Sequence, residues 1–317
     1  MALNFDELTA TTFKNYRKTL ADNIMKNIGL YAFMRKGGQI ERRQGGLKLV
    51  EPLMYGQNGT FKTYSGYDVL DTSPQAGITA AEYDWRNASI SVTISKEEQD
   101  QNKGASKIID LLKAKIDQAE KTFTLRMDQM LFADGTGNGG KDFQGLGNFV
   151  TAAASTVGGI DGSTYTWWDN VRDTCANFST LGLSKMRSIY NQCIREGEKP
   201  NIIVTDRTTF EAYESLLTPI ERINFSKGKE LAGDLGFESM TFKGCPIMWD
   251  YYATSQVMYF LNTQHLKLVI DSGTDFEMTE WRVPVNQMAK TAFILLRGQL
   301  ICNNRQLQGR LAITAYS

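Results

Sequence analysis

Apolar and polar residues alternate wherever residues 45–94 are regular, with Leu47 and Leu49 early and Ile90, Val92 and Ile94 late. Period-two spacing predicts strands, punctuated by Gly45, Gly46, Gly56, Gly59, Gly66 and Gly77 with Pro52 and Pro74, so the stretch reads as the two arms of one long hairpin. At about 3.3 Å per residue, arms of roughly twenty residues reach on the order of 60 Å, beyond the radius of a compact domain. Tyr55, Phe61, Tyr64, Tyr67, Tyr83 and Trp85 fall mostly in its middle and tip, where a lone hairpin has no core to receive them. A two-stranded ribbon alone is marginal in water, so the tip must rest on something else: a neighbouring chain, or the protein's own body.

The pattern then switches period. Ser95 and Glu98 form a capping box, Gly104 interrupts, and Ile108, Ile109, Leu112, Ile116, Ala119, Phe123, Met127, Met130 and Leu131 recur at three- and four-residue spacing. This predicts one helix over residues 106–134, about 40 Å long, with Gly135 as its C-cap. Residues 1–44 read as an arm with a short amphipathic segment around Phe5, Leu8, Phe13, Tyr16 and Leu20, ending at Gly37 and Gly38. Residues 134–162 read as glycine-rich turns with one strand at 146–150. Helices follow at 168–178 and 183–194, then a strand at 201–205 and a helix at 206–217. Strands are expected at 247–249, 257–261, 266–270, 276–283, 292–301 and 307–314. The class is α+β, and 317 residues suit two intimately connected domains.

Charge changes this picture only at the ends. Lys plus Arg and Asp plus Glu are each 35, yet residues 1–48 hold nine basic and four acidic groups, and residues 281–317 hold five basic and none acidic. Each end is therefore +5 and the middle −10. Basic ends are either ordinary solvated surface or the lining of a cavity that holds a polyanion. Cys175, Cys193, Cys245 and Cys302 are scattered without a C-x-x-C pair, which favours reduced thiols in a cytosolic setting. No apolar run approaches the length of a membrane span or signal peptide, so a soluble protein made inside a cell is expected.

Candidate chemistry is sparse. His265 is the single histidine and sits in a strand-like context, which suits a structural role. Gly135, Gly137 and Gly140 spell G-x-G-x-x-G, but they follow a helix where a dinucleotide site needs a preceding strand, so a helix stop with a tight turn is expected. Asp134, Asn138 and Asp142 lack the spacing of a calcium loop, and Lys113, Asp117 and Lys121 read as surface pairs on the helix. No catalytic residue, metal or cofactor is predicted.

The order of elements resembles the major capsid proteins of tailed double-stranded-DNA bacteriophages, the Hong Kong 97-type fold. Residues 1–44 resemble its N-terminal arm, 45–95 its extended loop, and 106–134 the spine helix of a peripheral domain over 96–165. Residues 166–275 resemble the axial domain, with NIIVTDRTTFEAYESLL at 201–217 as its strand and helix and KGCPIMWD at 243–250 as a turned strand. LLRGQLICNNRQLQG lies in 276–317, the return strands of the peripheral domain. The resemblance implies self-assembly of pentamers and hexamers into an icosahedral shell, found in the virion and assembled in the host cytoplasm, with no membrane. It implies loop contacts to a neighbour through Tyr55, Phe61, Lys62, Tyr64 and Tyr67, and non-specific DNA contacts through Lys14, Arg17, Lys18, Arg42 and Arg43. Scaffolding, portal and decoration proteins are the further partners it implies, and the short arm points to scaffolding that is separate or already removed. Some relatives cross-link a loop lysine to a neighbour's asparagine, roles in which Lys62 and Asn303 or Asn304 could be cast. Two other readings stay open: an encapsulin-like shell around a cargo enzyme, and a soluble α+β enzyme using His265 or a carboxylate pair.

Overall fold

The computed structural model describes residues 29–102, 110–217 and 240–316. The amphipathic segment of the arm, Lys14, Arg17, Lys18, the Gly104 interruption and the expected start of the long helix lie outside the described residues. Helix α1 (Leu30–Lys36) leads into strands β1 (Ile40–Arg43), β2 (Lys48–Met54), β3 (Ile78–Asp84) and β4 (Arg86–Ser95). Helices α2 (Lys96–Gln101) and α3 (Leu111–Phe132) follow, then the short strands β5 (Thr156–Val157) and β6 (Ile160–Asp161), β7 (Val171–Cys175), α4 (Phe178–Gln192), β8 (Ile202–Thr205) and α5 (Arg207–Leu216). The chain closes with β9 (Met240–Phe242), β10 (Cys245–Trp249), β11 (Val257–Leu261), β12 (Leu266–Asp271), β13 (Glu277–Met278), β14 (Ala289–Cys302) and β15 (Gly309–Ile313).

Six strands form one sheet in the order β7-β15-β11-β8-β10-β9. Its central strands are apolar at nearly every position because both faces are covered. On β11, Met258 and Phe260 face a core shared with α4 and α5, while Val257, Tyr259 and Leu261 face a larger core that continues to α3, where Phe132 lies 6.2 Å from Tyr259. The second sheet is built on β14, which pairs with β4 along residues 289–298 and with β12 along residues 298–302. Strand β1 adds in parallel to β12, and β13 pairs with β14. Segment 166–275 thus supplies β12 to this sheet, and segment 276–317 supplies β15 to the other.

Four expectations need correction. The stretch 45–94 is not one hairpin: β2 and β3 pair over seven residues each, residues 55–77 form an irregular loop, and β4 leaves to pair with β14. Its alternating Val92 and Ile94 are buried against the body, which stabilises more than continuing an isolated ribbon would. The strand expected at 146–150 is a single helical turn, Leu146–Phe149, because Gly145 N–H bonds the Ala133 carbonyl and caps the end of α3. A Cβ on Gly145 would sit 2.3 Å from the Met130 carbonyl oxygen, so only glycine permits this approach. The helix expected at 168–178 is strand β7, paired in parallel with β15, and α4 starts afterwards with Asn177 as N-cap. The strand expected at 276–283 shrinks to β13: Phe276 has φ 51° just before it, and after it only Arg282 makes an isolated bridge, to Thr291.

The long helix is α3, 22 residues and about 33 Å at 1.5 Å per residue, started by Asp110, whose carboxylate accepts from Lys113 N–H. The chain leaves the helix at Ala133, and Gly135 (φ +81°) lies two residues further. Gly137 to Gly140 form the tight turn, with Asn138 and Gly139 left-handed.

Candidate assembly surface

The β2–β3 ribbon has two faces of different fate. Leu49, Leu53, Ala81 and Tyr83 point inward and are buried, and the Tyr83 hydroxyl donates to the Cys302 carbonyl at 2.6 Å. Burial pushes the Tyr83 phenol far above its ordinary range. The other face carries Val50, Pro52 and Met54 on β2 beside Ile78 and Ala80 on β3, in register as Met54 with Ile78 and Pro52 with Ala80. All five are exposed. A Lys48–Glu82 ion pair at 2.8 Å closes this strip at its base. A ribbon that is apolar on both faces has one face more than its own body covers.

Beyond the ribbon the chain narrows to a neck. Tyr55 N–H bonds the Gly77 carbonyl at 2.9 Å, and a Cβ on Gly56 would lie 3.0 Å from both the Ala76 carbonyl oxygen and the Gly77 Cα. Past it, residues 57–76 bond mainly among themselves: Thr60 to Asn58, Ser65 to Asp68, Ser73 to Asp71, and the Lys62 ammonium to the Val69 carbonyl. Phe61 is 88% exposed, Tyr64 66% and Tyr67 fully. Val69 and Leu70 extend the apolar set. Tyr55 differs from these three, because its ring stacks on Trp167 at 5.2 Å with 16° between planes.

Trp167 is a platform held from below. Trp168, buried beside it, donates its indole N–H to the Val157 carbonyl at 2.9 Å. Arg305 is fully buried and donates to the carbonyls of Phe149 at 2.9 Å, Trp168 at 3.1 Å and Ser155 at 3.3 Å, and to Asn170 Oδ1 at 3.3 Å. Its pKa is lowered by burial. One guanidinium thus gathers residues 149–170 beneath the neck of the loop, using the five donors that only arginine has. Neither Trp167 nor Arg305 stood out in the sequence; the adjacent pair Trp167-Trp168 was the available signal.

A second exposed apolar group was also missed. Val283, Val285 and Met288 are exposed on the turn before β14, where Arg282 pairs with Thr291 and Asn286 has φ 66°. The strand expected at 276–283 stopped at Val283, and Pro284, Val285 and Met288 drew no reading of their own.

The described basic candidates are ion-paired. Arg42 meets Asp275 at 2.6 Å, and Arg43 meets Glu51 at 2.5 Å and Glu41 at 2.8 Å. The loop residues Tyr55, Phe61, Lys62, Tyr64 and Tyr67 lie together, whereas Arg42 and Arg43 sit on β1, in the sheet built on β14. The His265 ring contacts Glu198 through Nε2 and Asn303 through Nδ1 at 2.7 Å, joining the turn after α4 to the end of β14. The four cysteines are buried and none is joined in a disulfide. Among the described residues no group of three or more His, Cys, Asp or Glu side chains could hold a metal ion, and no helix is long and apolar enough to cross a membrane.

No family model and no curated protein matches the sequence. Solved structures do. The chain is similar to the capsid protein of cyanophage A-1(L), at 16% identity and TM-score 0.71, over 98% of this chain and 99% of that one. It is similar to the capsid protein of the Myoviridae phage XM1, at 12% identity and TM-score 0.57, over 94% and 96% of the two chains. A likeness also extends to the SrpI encapsulin of Synechococcus elongatus, at 8% identity and TM-score 0.54, over 93% and 91%. Phage capsid proteins and an encapsulin therefore share this architecture over nearly the whole matched length, and the α+β capsid fold expected from the order of elements is the fold of this chain.

Proposed function

We propose that this chain is a major capsid protein that self-assembles into the icosahedral shell enclosing double-stranded phage DNA. The observation that carries the reading is the loop at 55–77: a ribbon apolar on both faces ends in a narrow neck and five exposed apolar residues. A fold shared with shell proteins over nearly its whole length supports it. In this reading Phe61, Tyr64 and Tyr67, with Tyr55 and Lys62 at their flanks, pack on a neighbouring copy, and burying them there supplies the apolar contact that the monomer leaves unmade. Pentamers and hexamers form around the axial segment 166–275, and the peripheral segments 96–165 and 276–317 meet between them. The virion is then where the protein resides, after assembly in the host cytoplasm.

The test replaces residues 56–77 by Asn-Gly, which closes the ribbon with a short turn. The variant is expected to fold, by circular dichroism and cooperative unfolding, and to form no shells in negative-stain electron microscopy; particles of normal size overturn the reading. The same reading places Lys14, Arg17, Lys18, Arg42 and Arg43 toward packaged DNA. Because Arg42 and Arg43 are already ion-paired, reversal of Lys14, Arg17 and Lys18 to Glu is expected to lower DNA retention more than reversal of the two described arginines. Unchanged retention in both variants removes this assignment. Scaffolding, portal and decoration proteins are partners in this scheme.

A second reading is an encapsulin-like shell holding a protein cargo, favoured by the likeness to the SrpI encapsulin. The contents of purified particles separate the two: packaged double-stranded DNA for a capsid, a cargo protein for a compartment.

A further inference from the structure

Two buried carboxylates meet where three parts of the molecule join. Asp128, in the last two turns of α3, is 0% exposed, and Asp250, directly after β10, is 1% exposed. Both reach the start of α1. Asp250 Oδ2 accepts from Gly29 N–H at 2.6 Å and Leu30 N–H at 3.0 Å, and its Oδ1 accepts from Tyr252 N–H at 2.9 Å. Asp128 Oδ1 accepts from Tyr31 N–H at 2.9 Å. Three successive N–H groups that a helix start leaves unpaired are thus held by acids from the long helix and from the rim of the six-stranded sheet.

The remaining oxygen, Asp128 Oδ2, is buried and has no N–H or O–H partner among the described residues. The Asp250 carboxylate, on the adjacent N–H groups of Gly29 and Leu30, is near enough for its charge to raise Asp128. Two ionised carboxylates cannot share such a site, since both are acceptors and both carry charge away from water. One proton on Asp128 resolves this: Oδ2 becomes a donor to Asp250, whose oxygens keep their three N–H groups. From α1 the titratable group facing Asp128 is Tyr31, which is itself acted on by Arg35 and Asp275; from the turn after β10 it is Asp250.

We propose that Asp128 and Asp250 share a single proton and form a pH-sensitive latch on the start of α1, docked while the proton is present and released when it is lost. The latch stands on this geometry and does not depend on the shell reading. Burial, and then the charge of Asp250, push Asp128 up from 3.8 to about 9. A raised acid favours the folded state most below its unfolded value, and the advantage is lost as pH rises through the folded one. The latch therefore weakens steadily as pH rises through neutrality and is weakest in alkali, above the folded value.

Hydrogen exchange of the peptide over residues 29–34, followed in the full chain from pH 6 to about 10.5 and corrected for the intrinsic rate, reads the latch directly. Protection is expected to fall by up to about tenfold per pH unit from pH 6 to about 9, the slope of a one-proton linkage, and to level off above that. The variant D128N keeps the hydrogen bonds without a titratable proton and is expected to stay flat throughout. Constant wild-type protection to pH 10.5, or the same fall in D128N, overturns the proposal. Infrared spectroscopy of the wild type supplies a measurement that needs no variant: the carbonyl stretch of a buried protonated carboxylic acid should be present at pH 7 and vanish in alkali. Its absence at pH 7 overturns the proposal as well.

Discussion

Tyr83 at the base of the β2–β3 ribbon and Tyr67 in the loop beyond its neck are the same side chain in opposite surroundings. Tyr83 is 1% exposed and bonds the Cys302 carbonyl, tying the ribbon to the end of β14. Tyr67 is fully exposed, and the turn around it is held by Ser65 and Asp68 rather than by any packing of its ring. An aromatic side chain buried inside a subunit stabilises that subunit; one left in water contributes nothing to it. The ribbon therefore divides at Gly56 and Gly77 into a part that the fold needs and a part that the fold merely displays.

Substitutions on the two sides should separate accordingly, and the largest effect is expected at Tyr83. Replacing it by Ala removes a buried ring and leaves the Cys302 carbonyl unpaired, which should cost about 3–5 kcal/mol in denaturant unfolding of the unassembled subunit. Tyr83→Phe isolates the hydrogen bond and should cost about 1 kcal/mol. A Tyr83→Ala variant as stable as the wild type would dissolve the distinction between base and tip.

How much of this division the sequence showed depends on which physical signal each part carries. Strand β8 and helix α5 were legible because an apolar run followed by three- and four-residue spacing is local information, and both lie within a residue or two of expectation. Helix α3 was legible for the same reason. The ribbon was misread because alternation says which residues share a face but not which strand they pair with. Val92 and Ile94 alternate as well on β14 as they would on a hairpin partner, and only the long-range contact with residues 290–292 decides. The helix expected at 168–178 spans residues of three elements: Trp168 ends a single 3-10 turn, 171–175 form β7, and Phe178 starts α4 behind its N-cap Asn177. Of the candidate surface, Phe61, Tyr64 and Tyr67 were visible as aromatics without a core. Trp167 and the Arg305 cage were not, because their roles arise from residues more than a hundred positions apart.

Trp167 sharpens the comparison at its boundary. The Tyr55–Trp167 stack joins the neck of the loop to the Arg305-held platform, so it belongs to both sides. Trp167→Ala should cost about 0.5–1.5 kcal/mol for the lost ring contact, a smaller effect than at Tyr83. Its second consequence is local: hydrogen exchange over residues 54–58 should quicken while the amides of β2 and β3 inside the ribbon keep their protection. Loss of protection along the whole ribbon would mean that the platform supports the fold rather than the neck.

The smallest effect on stability should come from the loop itself. Converting Phe61, Tyr64 and Tyr67 together to Ser removes three aromatic rings, yet each is exposed and packs on no core, so the unassembled subunit should change by no more than about 0.5 kcal/mol per site. The assembly proposed above should respond in the opposite way. Aromatic residues at the centre of an interface carry much of its energy, and losing three copies at every contact of a closed shell multiplies the deficit. If the wild type forms the proposed particles, light scattering should show only small species for the variant at the same concentration, with a circular dichroism spectrum unchanged. A triple variant that unfolds would place these rings in a core the subunit provides for itself, and one that assembles normally would leave the exposed strip of Val50, Met54 and Ile78 as the surface that holds neighbouring copies.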